Sequence, residues 1–155
     1  MTSRPLRATV GTSRAHEEYG GRRRWFLLVV YDTRAELAAA AARYKPWETF
    51  DGDTGACVQP SPRRYDVDSD RIVPSRNGYL GIIRLCRELA DAEVVSHEAV
   101  HAALVVYRAD IRRFAHLGDG CGDREETLAY LVGDLAAAMV DALYDLGVWA
   151  RPARD

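Results

Sequence analysis

The sequence predicts an α+β domain in which a small, mostly antiparallel sheet lies beside two long helices. Two short apolar runs rich in β-branched and aromatic residues, 25–31 and 79–86, are typical of buried strands. Two longer stretches, about 92–113 and 124–146, carry apolar residues at helical spacing. The length of 155 residues and the hydrophobic fraction of 48% are sufficient for one domain with a single core.

The beginning of the chain differs in composition from the rest. Residues 1–23 are polar and lead into the run Arg22-Arg23-Arg24. We therefore expect a loosely ordered arm over residues 1–23 and a single domain over residues 24–150. A solvated tail is a more common role for such a charge run than a surface that binds phosphate groups.

The first half of the domain begins with the apolar strand. Asp32 or Thr33 can cap the alanine-rich helix that follows, and Pro46 ends it. Residues 46–76 are rich in Pro, Gly, Asp and Arg, which predicts mainly loop with short strands around 56–58 and 65–67.

The second half contains the candidate site. Asn77-Gly78 predicts a turn into the strand at 79–86. Asp91 can cap the next helix, whose apolar residues surround most of its circumference, so we expect that helix to be buried. The last helix has its large apolar residues at helical spacing: Leu128, Leu131, Leu135, Met139 and Leu143.

Charge, cysteine usage and hydropathy exclude several classes of protein. A net charge of −2 and a pI near 6.1 give no reason to expect nucleic acid as a partner. Three cysteines without a CxxC pair argue against both a disulfide framework and a cysteine zinc cluster. No apolar run approaches the ~18 residues of a membrane span, and no apolar segment of a secretory signal is present. We expect a cytoplasmic protein without a membrane partner.

The most informative motif is His97-Glu98-Ala99-Val100-His101 on the first long helix. Residues four apart share one face of a helix, so His97 and His101 can direct two imidazole nitrogens at one metal ion. Glu98 lies one residue beyond the first ligand, where it can act as a general base on water without binding the metal. The chain has only 4 histidines, which makes a chance match to this spacing rare. The competing interpretation is a pair of core histidines held by hydrogen bonds.

A catalytic zinc site needs a third protein ligand. The metzincin extension is excluded because Leu104 and Tyr107 stand where that pattern needs Gly and His. His116 is a possible ligand without a supporting pattern, and Glu125 and Glu126 open the last helix.

We predict Glu126 as the third ligand for a packing reason. Its helix face continues through Ala129, Gly133 and Ala137, and small residues would let the two helices approach closely. The face of Glu125 is bulkier. Either glutamate can also be an ordinary acidic residue at a helix N-terminus, which the helix dipole favours.

The motif followed by Glu126-Thr127-Leu128-Ala129 resembles the gluzincin pattern, HExxH and then ExxA. The short chain is similar to the minigluzincins and to small phage or bacterial metallopeptidases, over residues 77–147. The resemblance implies a minimal zincin-like fold, a Zn²⁺ cofactor and hydrolysis of a peptide or protein substrate. It also implies that the strand before the metal helix, Leu80–Arg84, forms a sheet edge that binds substrate; an interior strand is the alternative. In many gluzincins an acidic residue four positions after the third ligand supports a zinc-bound histidine. This chain has Tyr130 at that position and so departs from the pattern.

Two alternatives share the same residues. One is a non-catalytic, zinc-containing interaction or regulatory protein, such as a phage-derived modulator. The other is a narrow regulatory protease with a single protein substrate. An open coordination position beside a cleft favours an enzyme, whereas a closed site favours the non-catalytic protein.

Overall fold

The computed structural model describes residues 4–13, 22–46, 49–50, 53–61, 65–66, 71–72, 75–114 and 121–153. These described residues form a four-stranded mixed sheet, a separate two-stranded sheet and three α-helices, in agreement with the predicted α+β class. The strands are β1 (Leu6–Gly11), β2 (Trp25–Tyr31), β3 (Ala56–Pro60), β4 (Tyr65–Asp66), β5 (Arg71–Ile72) and β6 (Tyr79–Cys86). The helices are α1 (Arg34–Tyr44), α2 (Ala92–Phe114) and α3 (Cys121–Asp145), and a 3-10 turn, Arg87–Leu89, precedes α2.

The main sheet has the strand order β1-β2-β6-β3. β1 runs antiparallel to β2, β2 runs parallel to β6, and β3 runs antiparallel to β6. Two of the three pairings are therefore antiparallel, and the parallel pair lies in the centre. A central parallel pair is consistent with the composition of β2 and β6, because strands buried on both faces are almost continuously apolar.

The two faces of the sheet are covered by different helices. Val29 and Tyr31 of β2 and Ile82 and Cys86 of β6 point toward α1 and pack with Leu37. The opposite face joins α2 and α3 in the larger core, whose fully buried side chains include Phe26, Leu28, Ile83, Leu85, Leu131, Leu135, Met139 and Leu143. The helix α2 packs against α3 and against the strands β3 and β6, which fixes the position of the histidine motif.

Several local predictions are confirmed. Thr33 caps α1 by accepting a hydrogen bond from the Glu36 amide at 3.2 Å, and Glu36 accepts one from the Thr33 amide at 3.3 Å. Together these bonds form a capping box. The turn before β6 requires glycine at position 78, because its φ is +86° and a Cβ there would lie 2.3 Å from the Arg23 carbonyl oxygen.

The expected arm is wrong for part of its length. Leu6–Gly11 forms β1, and its residues pair in continuous register with β2 from Leu6 opposite Val30 to Gly11 opposite Trp25. Val10 is fully buried. Leu6, Ala8 and Val10 alternate with polar residues, which is the pattern of a strand with one buried face. Residues 14–21 of the expected arm lie outside the described residues.

One helix in the described part of the chain, residues 125–145, is long and apolar enough to cross a membrane by length and composition. A core helix can pass the same test. The buried side of this helix, with Leu131, Leu135 and Met139, packs in the main core against α2 and β1. We therefore assign it to the core of the domain.

Candidate functional site

The N-terminus of α2 is fixed by Asp91. Its Oδ1 atom accepts a hydrogen bond from the Val94 amide at 2.8 Å, and its carbonyl oxygen accepts one from the Val95 amide at 3.0 Å. This is the cap that the sequence predicts. Val95, one turn into the helix, is buried against the sheet, which sets the rotation of α2 and therefore the direction of the motif that follows.

The two histidines of the motif meet at their Nε2 atoms, which are 3.0 Å apart. The ring centroids lie 4.8 Å apart, with an angle of 67° between the ring planes. Two nitrogen ligands on a tetrahedral zinc ion are about 3.3 Å apart, given Zn–N bonds of ~2.0–2.1 Å. The pair therefore needs an adjustment of only a few tenths of an ångström to hold one ion. A single N–H···N hydrogen bond also accounts for the contact.

The predicted burial of the helix is wrong for the two histidines and holds for Glu98. His97 and His101 are exposed, as is Val100 at 42%, whereas Glu98 is only 5% exposed. The apolar residues of α2 that suggested a fully buried helix are mostly on the side of Ala99, Ala102 and the other buried positions. The histidines thus face solvent and do not need to be satisfied inside a core.

Glu98 is the buried polar member of the motif. Its Oε2 atom has no hydrogen-bond partner within the part of the chain that the structure describes. Burial raises the pKa of this carboxyl to about 7, and the nearby His97 acts in the opposite direction. A carboxyl group with a pKa near neutrality can accept and release a proton under ordinary conditions, which is the property required of a general acid–base group.

A pocket of about 340 Å³ lies in front of Glu98 and His97. Its other lining residues come from the start of β3, from the 3-10 turn and from the first turn of α2: Gly55, Ala56, Leu89, Asp91, Glu93 and Val94. The pocket therefore connects the buried carboxyl to the edge of the sheet and to solvent. Sequence patterns did not identify these residues because they belong to three separate segments.

The packing argument for Glu126 is wrong. The face that Glu126 shares with Ala129, Gly133 and Ala137 is exposed, and a Cβ added at Gly133 would meet nothing within 4 Å. The helix instead packs through the face of Thr127 and its leucines: Leu131, Leu135 and Leu143. The larger residues occupy the contact because they bury more apolar surface.

The described residues contain no group of three or more His, Cys, Asp or Glu side chains that could hold a metal ion. Both Glu125 and Glu126 are exposed on the first turns of α3. Neither is brought into a ligand group with the two histidines. His116, the other possible ligand, lies outside the described residues.

The expected edge strand is also wrong. β6, which contains Leu80–Arg84, lies between β2 and β3 in the interior of the sheet. The edge near the motif is β3, and its residue Ala56, with the preceding Gly55, lines the pocket. The strand order follows from pairing between distant segments, so the sequence of β6 alone could not distinguish an edge from an interior strand.

No family model, curated protein or solved structure matches the chain. The resemblance to gluzincins therefore rests on the motif residues alone.

Proposed function

We propose that this protein is a zinc-dependent metallopeptidase. The observation that supports the proposal is the pair of exposed imidazoles whose Nε2 atoms are 3.0 Å apart, next to a buried carboxyl group without a partner among the described residues. These three side chains come from five consecutive residues. The pocket in front of them gives a substrate access to the carboxyl group.

His97 and His101 would hold the metal through Nε2. Two neutral imidazoles on one helix face are suitable zinc ligands, and the converging nitrogens fit a single ion. A zinc ion bound there would polarise the carbonyl group of a peptide and activate water as a nucleophile. Glu126 stays our proposed third ligand on the sequence pattern alone, since its packing reason does not hold.

Glu98 is the proposed general base and then general acid. Its carboxylate would take a proton from water and pass it to the amine that leaves when the peptide bond breaks. Burial raises its pKa to about 7, which makes it a stronger base than an exposed glutamate. A cation on the adjacent histidines would favour the ionised form, so the group would be ready to accept a proton.

The proposed substrate is a peptide or protein segment. The route to Glu98 is lined by the start of β3 at Gly55 and Ala56, at the edge of the sheet. We propose that a peptide approaches along this end of β3, in place of the expected contact with β6. Backbone groups at a sheet edge give main-chain hydrogen bonds, while side chains enter adjacent pockets.

The test is a comparison of wild-type protein with Glu98→Gln, each incubated with zinc and a mixture of unfolded proteins, with cleavage read by mass spectrometry. We expect cuts by wild type that chelator abolishes, and a rate lower by ~10²–10⁴-fold for Glu98→Gln. Glu88→Gln is the matched control, because Glu88 is an exposed glutamate on the preceding turn and does not line the pocket. Zinc binding without any cleavage would favour the non-catalytic, zinc-containing protein.

A further inference from the structure

Among the described residues that line the pocket beside the motif, every titratable side chain except His97 is acidic: Asp91, Glu93 and Glu98. No arginine or lysine lines it in the described part of the chain. The N-terminus of α2 contributes a partial positive charge of about half an elementary charge. In the metal-free protein the two exposed carboxylates at the rim outweigh that charge, so the rim of the pocket is negatively charged.

The acidic groups have acceptor capacity that the described structure does not use. The Oε2 atom of Glu98 is buried without a partner. Asp91 uses Oδ1 to cap α2 and keeps its second oxygen, while Glu93 is exposed at the rim. A buried acceptor without a donor costs free energy, and a ligand that brings N–H groups would remove that cost. The unpartnered oxygen of Glu98 therefore makes the inner end of the pocket a hydrogen-bond acceptor, which water or an N–H group of a bound peptide can satisfy.

The remaining walls of the pocket are apolar. Leu89, Val94 and Ala56 line the space between the acidic groups. A long basic side chain has the complementary structure, because its methylene stem packs on apolar surface while its charged head stays near water and carboxylates. The volume of about 340 Å³ is at the low end for ligand pockets, which suits one side chain or one chain terminus.

We infer that this pocket binds a positively charged group of the substrate, either the side chain of arginine or lysine or a free α-amino group. The inference rests on the proposed function for the statement that the ligand belongs to a peptide. The charged group would lie against the exposed carboxylates of Asp91 and Glu93, and Glu98 would stay accessible to the water that it is proposed to deprotonate. Cleavage would then occur at a fixed distance from a basic residue or from the N-terminus of the substrate.

The experiment measures binding and needs no catalysis. The probes are N-acetyl-arginine N-methylamide and N-acetyl-citrulline N-methylamide, which have nearly the same shape but differ in charge. Binding is followed in metal-free protein through the backbone amide NMR signals of Gly55, Ala56 and Val94. We expect the arginine probe to bind at least about fivefold more tightly than the citrulline probe, since exposed ion pairs contribute up to ~1 kcal/mol each.

Two variants and one control test the location of the site. Asp91→Asn removes a charge but preserves a good N-cap residue, and Glu93→Gln removes the exposed charge. Each should weaken the arginine probe by about two- to fivefold and leave the citrulline probe unchanged. Glu88→Gln removes an equal charge outside the pocket and should leave both probes unchanged. Equal weakening by Glu88→Gln would show a general charge effect and overturn the inference.

The two sources of positive charge are separated by a second probe pair, alanine amide and N-acetyl-alanine amide. Selective binding of alanine amide, lost on acetylation, would support the inference and assign the pocket to an N-terminus. Selective binding of the arginine probe would support it and assign the pocket to a basic side chain. The absence of charge-dependent binding in both pairs would overturn it.

Failure of the proposed function and failure of the inference about the pocket would give different results. Charge-selective binding in a protein that shows no chelator-sensitive cleavage would support the pocket and contradict the peptidase. Zinc-dependent cleavage that Glu98→Gln abolishes, without charge-selective binding and without enrichment of basic residues or N-termini near the cut, would support the peptidase and overturn the inference about the pocket.

Discussion

The Nε2 atoms of His97 and His101 lie 3.0 Å apart on the exposed face of α2, although the buried side of the same helix holds Glu98. The carboxyl group that we propose as the general base is therefore buried at the pocket, while the two candidate metal ligands are exposed to solvent. Opposite burial of adjacent residues follows from the helical repeat, because each residue turns the side-chain direction by about 100°.

The first prediction is that the protein binds about one zinc ion per chain and that His97→Ala and His101→Ala each abolish tight binding. Loss of a group that merely orients a ligand costs ~10–100-fold in affinity, so loss of a ligand should cost more. Competition with a chromophoric chelator measures the affinity. Arg108→Ala, an exposed change farther along α2, should bind zinc normally. Full affinity in either histidine variant would contradict the site.

The second prediction concerns the third ligand. Glu126→Gln should weaken zinc binding by at least ~10-fold, whereas Glu125→Gln should have little effect, because the gluzincin-like pattern contains only the second glutamate. The same chelator competition measures both variants, which differ by one position on an exposed turn. The reverse order would assign the ligand to Glu125. No effect of either change would exclude both glutamates as ligands.

The strands and caps could be predicted because their signals are local. The apolar run at 25–31 and the Thr33–Glu36 capping box involve neighbouring residues, and the structure contains both. Asp91 also caps α2 as its position predicts. The spacing of His97 and His101 likewise predicts their convergence, since it follows from the geometry of one helix.

What could not be predicted depends on contacts between distant segments. The residue spacing in α3 allows either the face of Gly133 or the face of Leu131 to pack on the core. Only the tertiary structure shows that the face of Leu131 does so. The interior position of β6 depends on its pairing with β3, and that pairing is invisible in either strand alone. The residues that line the pocket come from three segments of the chain. Only the structure shows that they lie together and that the lining is acidic.

The third prediction uses the pKa of Glu98, which burial raises from 4.5 to about 7. The folded state therefore holds this proton more tightly than the unfolded state. The resulting stabilisation is complete below pH 4.5 and is lost as the pH rises to about 7. Glu98→Gln cannot ionise, so metal-free wild type should lose stability relative to this variant as the pH rises from 4.5 to about 7. Urea unfolding at several pH values measures the difference, and a constant difference would contradict the prediction.

The fourth prediction compares two glycines. Gly133 is exposed within α3 and has open space around its Cβ position, so Gly133→Ala should stabilise the protein by about 0.5–1 kcal/mol. Gly147 has a φ of +68° after the end of α3, so Gly147→Ala should destabilise it by about 1–2 kcal/mol. Chemical denaturation measures both changes. Stabilisation by Gly147→Ala, or a loss with Gly133→Ala, would contradict the assigned environments.

The last prediction concerns a buried ion pair that ties α2 to the sheet. Arg24 donates from Nη2 to Oδ1 of Asp110 at 2.5 Å and from Nε to Oδ2 at 3.1 Å. Both residues are buried, with Arg24 at 6% and Asp110 at 1% exposure. Removing one partner takes this ion pair and its hydrogen bonds from the other buried charge, whereas removing both charges together avoids that cost.

We therefore expect Arg24→Met and Asp110→Leu each to destabilise the protein by about 3–5 kcal/mol, because each removes one charge of a buried, doubly hydrogen-bonded pair. The double variant should lose much less than the sum of the two single losses, since neither charge is then present. A double-mutant cycle by urea denaturation measures this coupling. Additive losses would contradict a direct ion pair. Zinc affinity provides a separate measurement. The distance between His97 and His101 is set by their spacing within one helix, so the folded double variant should bind zinc as wild type does.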